Sequence, residues 1–374
     1  MHELRPFQKQ ALHSLNFEAH TILIAPTGSG KSLIFQRYLY ENRAQVRALF
    51  ISPLNALARQ HEFHFRTLGL NVTQGVGSEG RAPSQEPGVW ILNPEKLMGS
   101  FSAKVKEWKP NLLIVDEAHC IWEWGESFRP SFQLLPKLVS TLSIPKTFWC
   151  SATLSQVARK QIAQSLPIQP RILGAFGIPP SLRIERQSSH PCERMELLQK
   201  IVQRNAKVSG MIFVNTRNAS ERIQKYLNLW GVESVYYHAG MSLEERLALE
   251  IKLRAHQELR TPIWVVATSA FGMGMDYSFL ETCILFEPSF SLLSLAQAMG
   301  RVGRAGASAQ AIVFWHAEDF ARHAWLTEGS ERNQARILEV RRWCESQNPR
   351  DFLEKYFNDG LLSGKLNPSD EYSQ

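Results

Sequence analysis

The chain has 374 residues, which at about 150 per domain is room for two lobes and a tail. Hydrophobic residues make up 44% and charged residues 21%, a balance that excludes a disordered, collagen-like or disulfide-scaffold protein. The formal net charge of +7 agrees with a polyanionic partner without demanding one. No apolar stretch approaches the roughly 18 residues of a membrane helix, and Met1-His2-Glu3-Leu4-Arg5-Pro6 carries no basic-then-apolar leader. Cys120, Cys150, Cys192, Cys283 and Cys344 are odd in number, widely spaced and at no metal-ligand spacing. They read as reduced thiols, so the expected setting is a cytoplasm, bacterial cytoplasm or nucleoid, with no membrane partner.

Along the chain, short apolar runs alternate with amphipathic stretches. The first run, Thr21–Ile24, leads into Ala25-Pro26-Thr27-Gly28-Ser29-Gly30-Lys31-Ser32 and then a helical pattern. Strand, glycine-rich turn and helix in that order form a phosphate loop, with Ala25 where the leading glycine usually stands. Thr27, Gly28, Ser29 and Gly30 offer backbone N–H groups at a helix N-terminus. Lys31 would reach the β and γ phosphates of a nucleotide, and Ser32 would ligate Mg²⁺. The runs at Ala48–Ile51 and Val89–Leu92 follow. Leu112–Val115 then delivers Asp116 and Glu117 at a strand's carboxyl end, where α/β sheets bind ligands. Asp116 would hold Mg²⁺, and Glu117 would orient and deprotonate an attacking water. Thr147–Cys150 closes the first series.

Gly174-Ala175-Phe176-Gly177-Ile178-Pro179-Pro180 reads as an interdomain hinge. A second series comprises Gly210–Val214, Ser234–Tyr237, Ile263–Val266, Cys283–Phe286 and Ala311–Phe314, with helical patterns over Ser220–Leu229 and Leu243–Leu253. Uninterrupted apolar runs of this kind are strands buried on both faces of a parallel sheet. Two such series predict an α/β protein of two doubly wound, parallel-sheet lobes. The expected divisions are residues 1–177, 178–320 and a helical tail at 321–374, with helix over Asn333–Glu345 and the last ten residues frayed.

These residues carry a family resemblance over about residues 4–320. Asp116-Glu117-Ala118-His119 resembles motif II of the superfamily 2 helicases. Its continuation resembles the aromatic-rich loop of RecQ-family DNA helicases, which reads roughly DEAHCIS-x-WGHDFRP. Cys120, Trp124, Gly125, Phe128, Arg129 and Pro130 match, while Trp122, Glu126 and Ser127 depart. Leu4-Arg5-Pro6-Phe7-Gln8 resembles motif 0, in which Arg5 and Gln8 would contact adenine. Motifs Ia (around Ser52), Ib (around Asn93), III (Ser151-Ala152-Thr153), IV (Asn215-Thr216-Arg217), V (Val266 to Asp276) and VI (Gln297 to Gly306) follow in the family's order.

The resemblance implies two RecA-like lobes with ATP and Mg²⁺ between them. Lys31, Asp116 and Glu117 would act from one side, and Arg301 and Arg304 as arginine fingers from the other. Gly272, Asp276 and Gln297 join the nucleotide-binding set. It also implies single-stranded or forked DNA as the partner, movement 3′ to 5′, and service in DNA repair and recombination. Ser52, Asn93, Asn215, Arg217 and Thr268 would touch the DNA backbone. Trp122, Trp124, Phe128 and Arg129 would meet bases, aromatic stacking being worth roughly 1–3 kcal/mol per base. In the family a zinc-binding helical hairpin and a winged helix follow. Here Asn348 stands where the first zinc cysteine is expected and no later cysteine exists, so no zinc is predicted. The alternatives are a DNA translocase subunit that leaves strand separation or targeting to a protein partner, and an RNA helicase, since only a 2′-OH contact separates RNA from DNA.

Overall fold

The computed structural model describes residues 3–77, 80–121, 131–269, 271, 277, 279–303, 307–327 and 330–359, the side chains of residues 56, 131–133 and 243 left aside. They divide into two units: the chain up to Gly177 together with the stretch from Tyr356 on, and Ile178–Lys355. No described helix is long and apolar enough to cross a membrane.

The first unit runs α1 (Pro6–Phe17), β1 (His20–Ile24), α2 (Lys31–Glu41), β2 (Arg47–Ile51), α3 (Asn55–Thr67), β3 (Val72–Gln74), β4 (Gly88–Leu92), α4 (Pro94–Met98), α5 (Ser102–Trp108), β5 (Leu112–Val115), α6 (Ser131–Leu142), β6 (Thr147–Ser151), α7 (Gln156–Ser165) and β7 (Arg171–Gly174). The strands form one parallel sheet in the order β3-β4-β2-β5-β6-β1-β7. Strands β1, β4 and β6 are buried at every position. Because successive side chains point to opposite faces, alternate residues feed two apolar layers. Ile22, Leu49, Trp90, Leu113 and Trp149 lie in one layer. Leu23, Phe50, Ile91, Ile114 and Phe148 lie in the other. A sheet covered on both faces explains the unbroken apolar runs of the sequence.

The second unit runs β8 (Leu182–Ser188), α8 (Arg194–Arg204), β9 (Ser209–Phe213), α9 (Arg217–Leu229), β10 (Ser234–Tyr237), α10 (Leu243–Leu259), β11 (Trp264–Ala267), β12 (Leu280–Leu285), α11 (Leu292–Met299), β13 (Ala309–Trp315), α12 (Ala317–Leu326), α13 (Glu331–Glu345) and most of α14 (Pro349–Asn358). Its parallel sheet has the order β10-β11-β9-β12-β13-β8. Ile212, Val266 and Ile284 pack with Leu198, Ile223 and Leu227 of the covering helices. Gly210 is required by a close approach: a Cβ there would lie 2.6 Å from the Trp264 ring. Arg194 and Asp319 form a buried, two-pronged ion pair in which Nη1 meets Oδ1 at 3.0 Å and Nη2 meets Oδ2. The same guanidinium donates to the carbonyls of Phe286 and Ser189. Asp319 also accepts the His316 N–H.

The helical tail is tied down by arginines donating to main-chain carbonyls. Arg186 on β8 reaches Trp343 and Cys344, and Arg350 reaches Ile178, Pro179 and Leu182. Asn348 caps α14, its side-chain oxygen accepting from the N–H groups of Arg350 and Asp351. Within the first unit, Asn358 exchanges two hydrogen bonds with the Phe176 backbone. There the buried Arg159 donates to the carbonyls of Leu154, Phe357 and Asp359.

The strands absent from the sequence reading are β3, β7 and β8, all at or beside sheet edges. The helices expected at Ser220–Leu229, Leu243–Leu253 and Asn333–Glu345 fall within α9, α10 and α13. The last ten residues lie outside the described ones.

Candidate active site

The parallel register brings three sequence motifs to the carboxyl ends of adjacent strands. Ile24 of β1 pairs with Ser151 of β6, and Val115 of β5 with Trp149. The turns that follow are stitched across: the Ala25 N–H donates to the Ser151 carbonyl, and the Ala118 N–H to that of Cys150. The phosphate loop, the Asp116–Glu117 pair and Ser151-Ala152-Thr153 thus meet at one rim of the first unit.

The loop has the geometry an anion needs. Gly28 and Gly30 sit at φ 79° and 84°, a region L side chains avoid. Gly30 immediately precedes α2, so the loop's N–H groups and the helix N-terminus converge. Lys31 is buried, and its Nζ lies 3.0 Å from the carbonyls of Ala25 and Pro26. An ammonium held by two neutral carbonyls suits a phosphate. Ser29 folds its hydroxyl onto the Pro26 carbonyl, while Thr27 and Ser32 are half-buried.

Gln8 is buried against this loop. Its amide nitrogen donates to the carbonyls of Ser29 and Gly30, and its oxygen accepts the N–H of exposed Arg5. A Cβ on Gly30 would come within 2.6 Å of that amide. Gln8 therefore braces the phosphate loop here, with its donor already engaged.

Asp116 is 8% exposed and receives three donors. The Glu117 N–H reaches Oδ1 at 2.9 Å, the Cys150 thiol reaches Oδ1 at 3.3 Å, and His61 Nε2 reaches Oδ2 at 3.0 Å. Burial, then the Asp116 charge, hold the Cys150 thiol well above its ordinary range, so it stays a donor. Glu117 occupies φ 48°, the left-handed region; such strain costs of order 1–3 kcal/mol and collects at functional sites. His119 Nδ1 faces two acceptors, Ser151 Oγ at 2.9 Å and Glu117 Oε2 at 3.2 Å. Ser151 spends its own proton on the Thr153 carbonyl, so the shared proton is on Nδ1. This bond chain connects Glu117 to the Ser151–Thr153 turn. A glycine-lined anion cradle beside two carboxylates fits ATP with Mg²⁺.

Among the residues expected to meet DNA, Ser52 is buried and donates to the Leu54 carbonyl, and Asn93 caps α4 by accepting the Lys96 N–H. In the second unit Thr268 is half-buried, and Arg217 is exposed and lies against Gly240. Gln297 on α11 and Arg301 just beyond it are half-buried. Trp122, Trp124, Phe128, Arg129, Gly272, Asp276 and Arg304 lie outside the described residues.

Asn215 donates to His323 Nε2 at 3.2 Å and to the Pro288 carbonyl. His323, stacked on Phe290 at 4.0 Å, has its pKa lowered from an ordinary 6.5 to about 4, by burial first and by Arg322 second. The folded state therefore binds fewer protons than the unfolded one between those values. The stability His323 contributes is complete above about pH 6.5 and is lost as the pH falls toward 4. Urea unfolding at pH 7.5 and pH 5 is expected to show a drop that His323→Gln flattens; an equal drop in the variant would reject this assignment.

His61 and Cys150 are the site residues that the sequence reading missed. His61 is one polar residue on an amphipathic helix, and no local pattern marks it.

Comparison with known proteins matches residues 5–161 to the DEAD/DEAH box helicase family and residues 193–306 to the helicase conserved C-terminal domain. The ATP-dependent DNA helicase RecQ of Pasteurella multocida is 30% identical over 376 residues, covering 95% of this chain and 58% of that protein. The RecQ of Haemophilus influenzae is 28% identical over 381 residues, covering 95% and 59%. The chain thus spans under two thirds of the length of these relatives. Among solved structures, S. cerevisiae Dbp5 bound to RNA and ADP BeF3 superposes with a TM-score of 0.67 at 17% identity, covering 96% of this chain and 88% of that one. This last likeness is one of fold.

Proposed function

Because the chain belongs to the RecQ family of superfamily 2 helicases, whose motor core it carries, we propose that it is an ATP- and Mg²⁺-dependent DNA helicase or translocase that tracks single-stranded DNA, 3′ to 5′. The observation that carries this reading is the phosphate loop, its Lys31 ammonium held by the carbonyls of Ala25 and Pro26, on the same strand rim as Asp116 and Glu117.

ATP is the substrate. Gly28, Ser29, Gly30 and Lys31 bind its phosphates through N–H groups and one ammonium. Ser32 and Asp116 would hold Mg²⁺, which supplies charge neutralisation at the phosphates. Glu117 orients the attacking water and takes its proton, and His119 carries the position of Glu117 to Ser151. Arg301 and Arg304 supply positive charge to the transferring phosphoryl group. Arg217, Asn215 and Thr268 of the second unit and the aromatic loop after His119 engage the nucleic acid. Those contacts involve phosphates, so binding weakens steeply with salt.

Steady-state ATP hydrolysis at low salt, with no nucleic acid, single-stranded DNA or single-stranded RNA, tests the proposal. DNA is expected to stimulate at least tenfold and RNA less. Lys31→Ala should lower the stimulated rate about 100-fold or more, the scale of losing one charge-stabilising donor. Equal stimulation by RNA would turn the reading to an RNA helicase. Stimulation by neither, or a Lys31→Ala variant as fast as the parent, would reject it.

A further inference from the structure

We propose that His61 is a positioning residue for the metal-binding carboxylate: its Nε2–H fixes Asp116 for Mg²⁺. The inference rests on the reading that Asp116 holds Mg²⁺.

His61 reaches Asp116 from α3, 55 residues away in sequence. A carboxylate can only accept, so Nε2 bears the proton of this bond whatever the state of Nδ1. The ring is locked on its other sides by phenylalanines from three elements. Phe35 of α2, Phe50 of β2 and Phe65 of α3 have centroids 5.7, 4.7 and 5.8 Å away, and Phe65 is stacked on it. Nδ1 is buried and has no hydrogen-bond partner among the described residues. The plain alternative is a core histidine of no consequence. Leaving a buried nitrogen unpaired costs stability, and an apolar side chain would fill this aromatic pocket without that cost. What a histidine adds here is the single bond to Asp116.

The carboxylate gives the bond its purpose. Two oxygens present about four lone-pair sites. The Glu117 N–H and the Cys150 thiol occupy Oδ1, and His61 occupies Oδ2. These three donors from the described residues fix the carboxylate plane, so Asp116 would meet the ion or a water of its shell in one orientation. Partners of this kind orient a ligand and raise its effective affinity for metal.

The test is binding of a fluorescent ADP analogue to the whole chain, titrated with Mg²⁺ and repeated without it. His61→Phe keeps the aromatic packing and removes the donor, whereas His61→Gln keeps an N–H at the same reach. The Mg²⁺ concentration for half-maximal binding is expected to rise about tenfold or more in His61→Phe, the lower end of losses on removing such partners. It should stay within about twofold of the parent in His61→Gln. Mg²⁺-free binding should be unchanged in both. His61→Leu, a second variant without the donor, should repeat the rise if His61→Phe does not fold. Asp116→Asn separates the two levels of the argument. If it shifts the Mg²⁺ dependence and the donor-free variants do not, His61 is only core and the proposal falls. If Asp116→Asn shifts nothing either, the metal-site reading itself falls.

Discussion

Replacing Glu117 by glutamine is expected to reduce DNA-stimulated ATP hydrolysis by about 10²–10⁴-fold, the usual contribution of a general base, while nucleotide affinity stays within a fewfold of the parent. Glutamine preserves the size of the side chain and can still meet His119, so what is lost is the ability to take a proton. The backbone adds a second measurement. Glu117 is held at φ 48° by the bonds that place it, namely its N–H on Asp116 and its side chain against His119. A glycine there is relieved of a conformation that costs an L residue about 1–2 kcal/mol. Glu117→Gly should therefore melt no lower than Glu117→Ala and unfold at slightly higher denaturant, while both are inactive. Single-turnover hydrolysis with equilibrium nucleotide binding, alongside chemical denaturation, reads both effects. A Glu117→Gln variant with even a tenth of the parent rate would remove Glu117 from the role of base.

The second large effect is structural. Arg194 and Asp319 are both about 99% buried, and the guanidinium is committed to the carboxylate and two carbonyls. Deleting Asp319 alone leaves a cation with no counter-charge in a low-dielectric core, a loss of about 3–5 kcal/mol. At about 2–4 °C per kcal/mol for a unit of this size, Asp319→Ala should lower the melting transition of the second unit by about 6–20 °C. The first unit's transition should stay in place. The double replacement Arg194→Met with Asp319→Leu should recover most of the loss, because well-packed apolar side chains substitute for buried ion pairs at little cost. Differential scanning calorimetry of the parent, Arg194→Met, Asp319→Leu and the double variant provides the coupling energy. A single variant that shifts the transition by under 2 °C would show that the pair is not a major support of this unit.

Much of this organisation was legible in the residues, for a physical reason. Central strands of a parallel sheet are buried on both faces, so Leu112–Val115 or Trp264–Ala267 stand out as unbroken apolar runs. The strands that escaped have weaker patterns. β8 reads Leu-Arg-Ile-Glu-Arg-Gln-Ser and lies at the end of its sheet, where charged residues guard an open edge. β7 is exposed at Arg171 and Ile172, and β3 is three residues long. The candidate site divides in the same way. Lys31, Asp116 and Glu117 stand out in the sequence because each follows a strand within a short motif. His61 and Cys150 act on Asp116 from separate elements, and only the folded chain brings those elements together. Gln8 carried an expectation of adenine contact; its amide nitrogen also donates to the loop carbonyls of Ser29 and Gly30, bonds between residues 21 and 22 positions apart that no local pattern displays.

The carbonyls that hold Arg159 have a consequence for synthesis. The chain leaves its first unit after Gly177 and rejoins it at Tyr356. The Phe357 carbonyl that Arg159 needs is made 198 residues after the arginine itself. At translation rates of about 5–20 residues per second, the nascent first lobe waits about 10–40 s for that acceptor. Until then the arginine has only Leu154 from this set, and the surface meant for the end of α14 stays open on the ribosome. The first lobe is thus begun first and completed only after the whole second lobe has been synthesised.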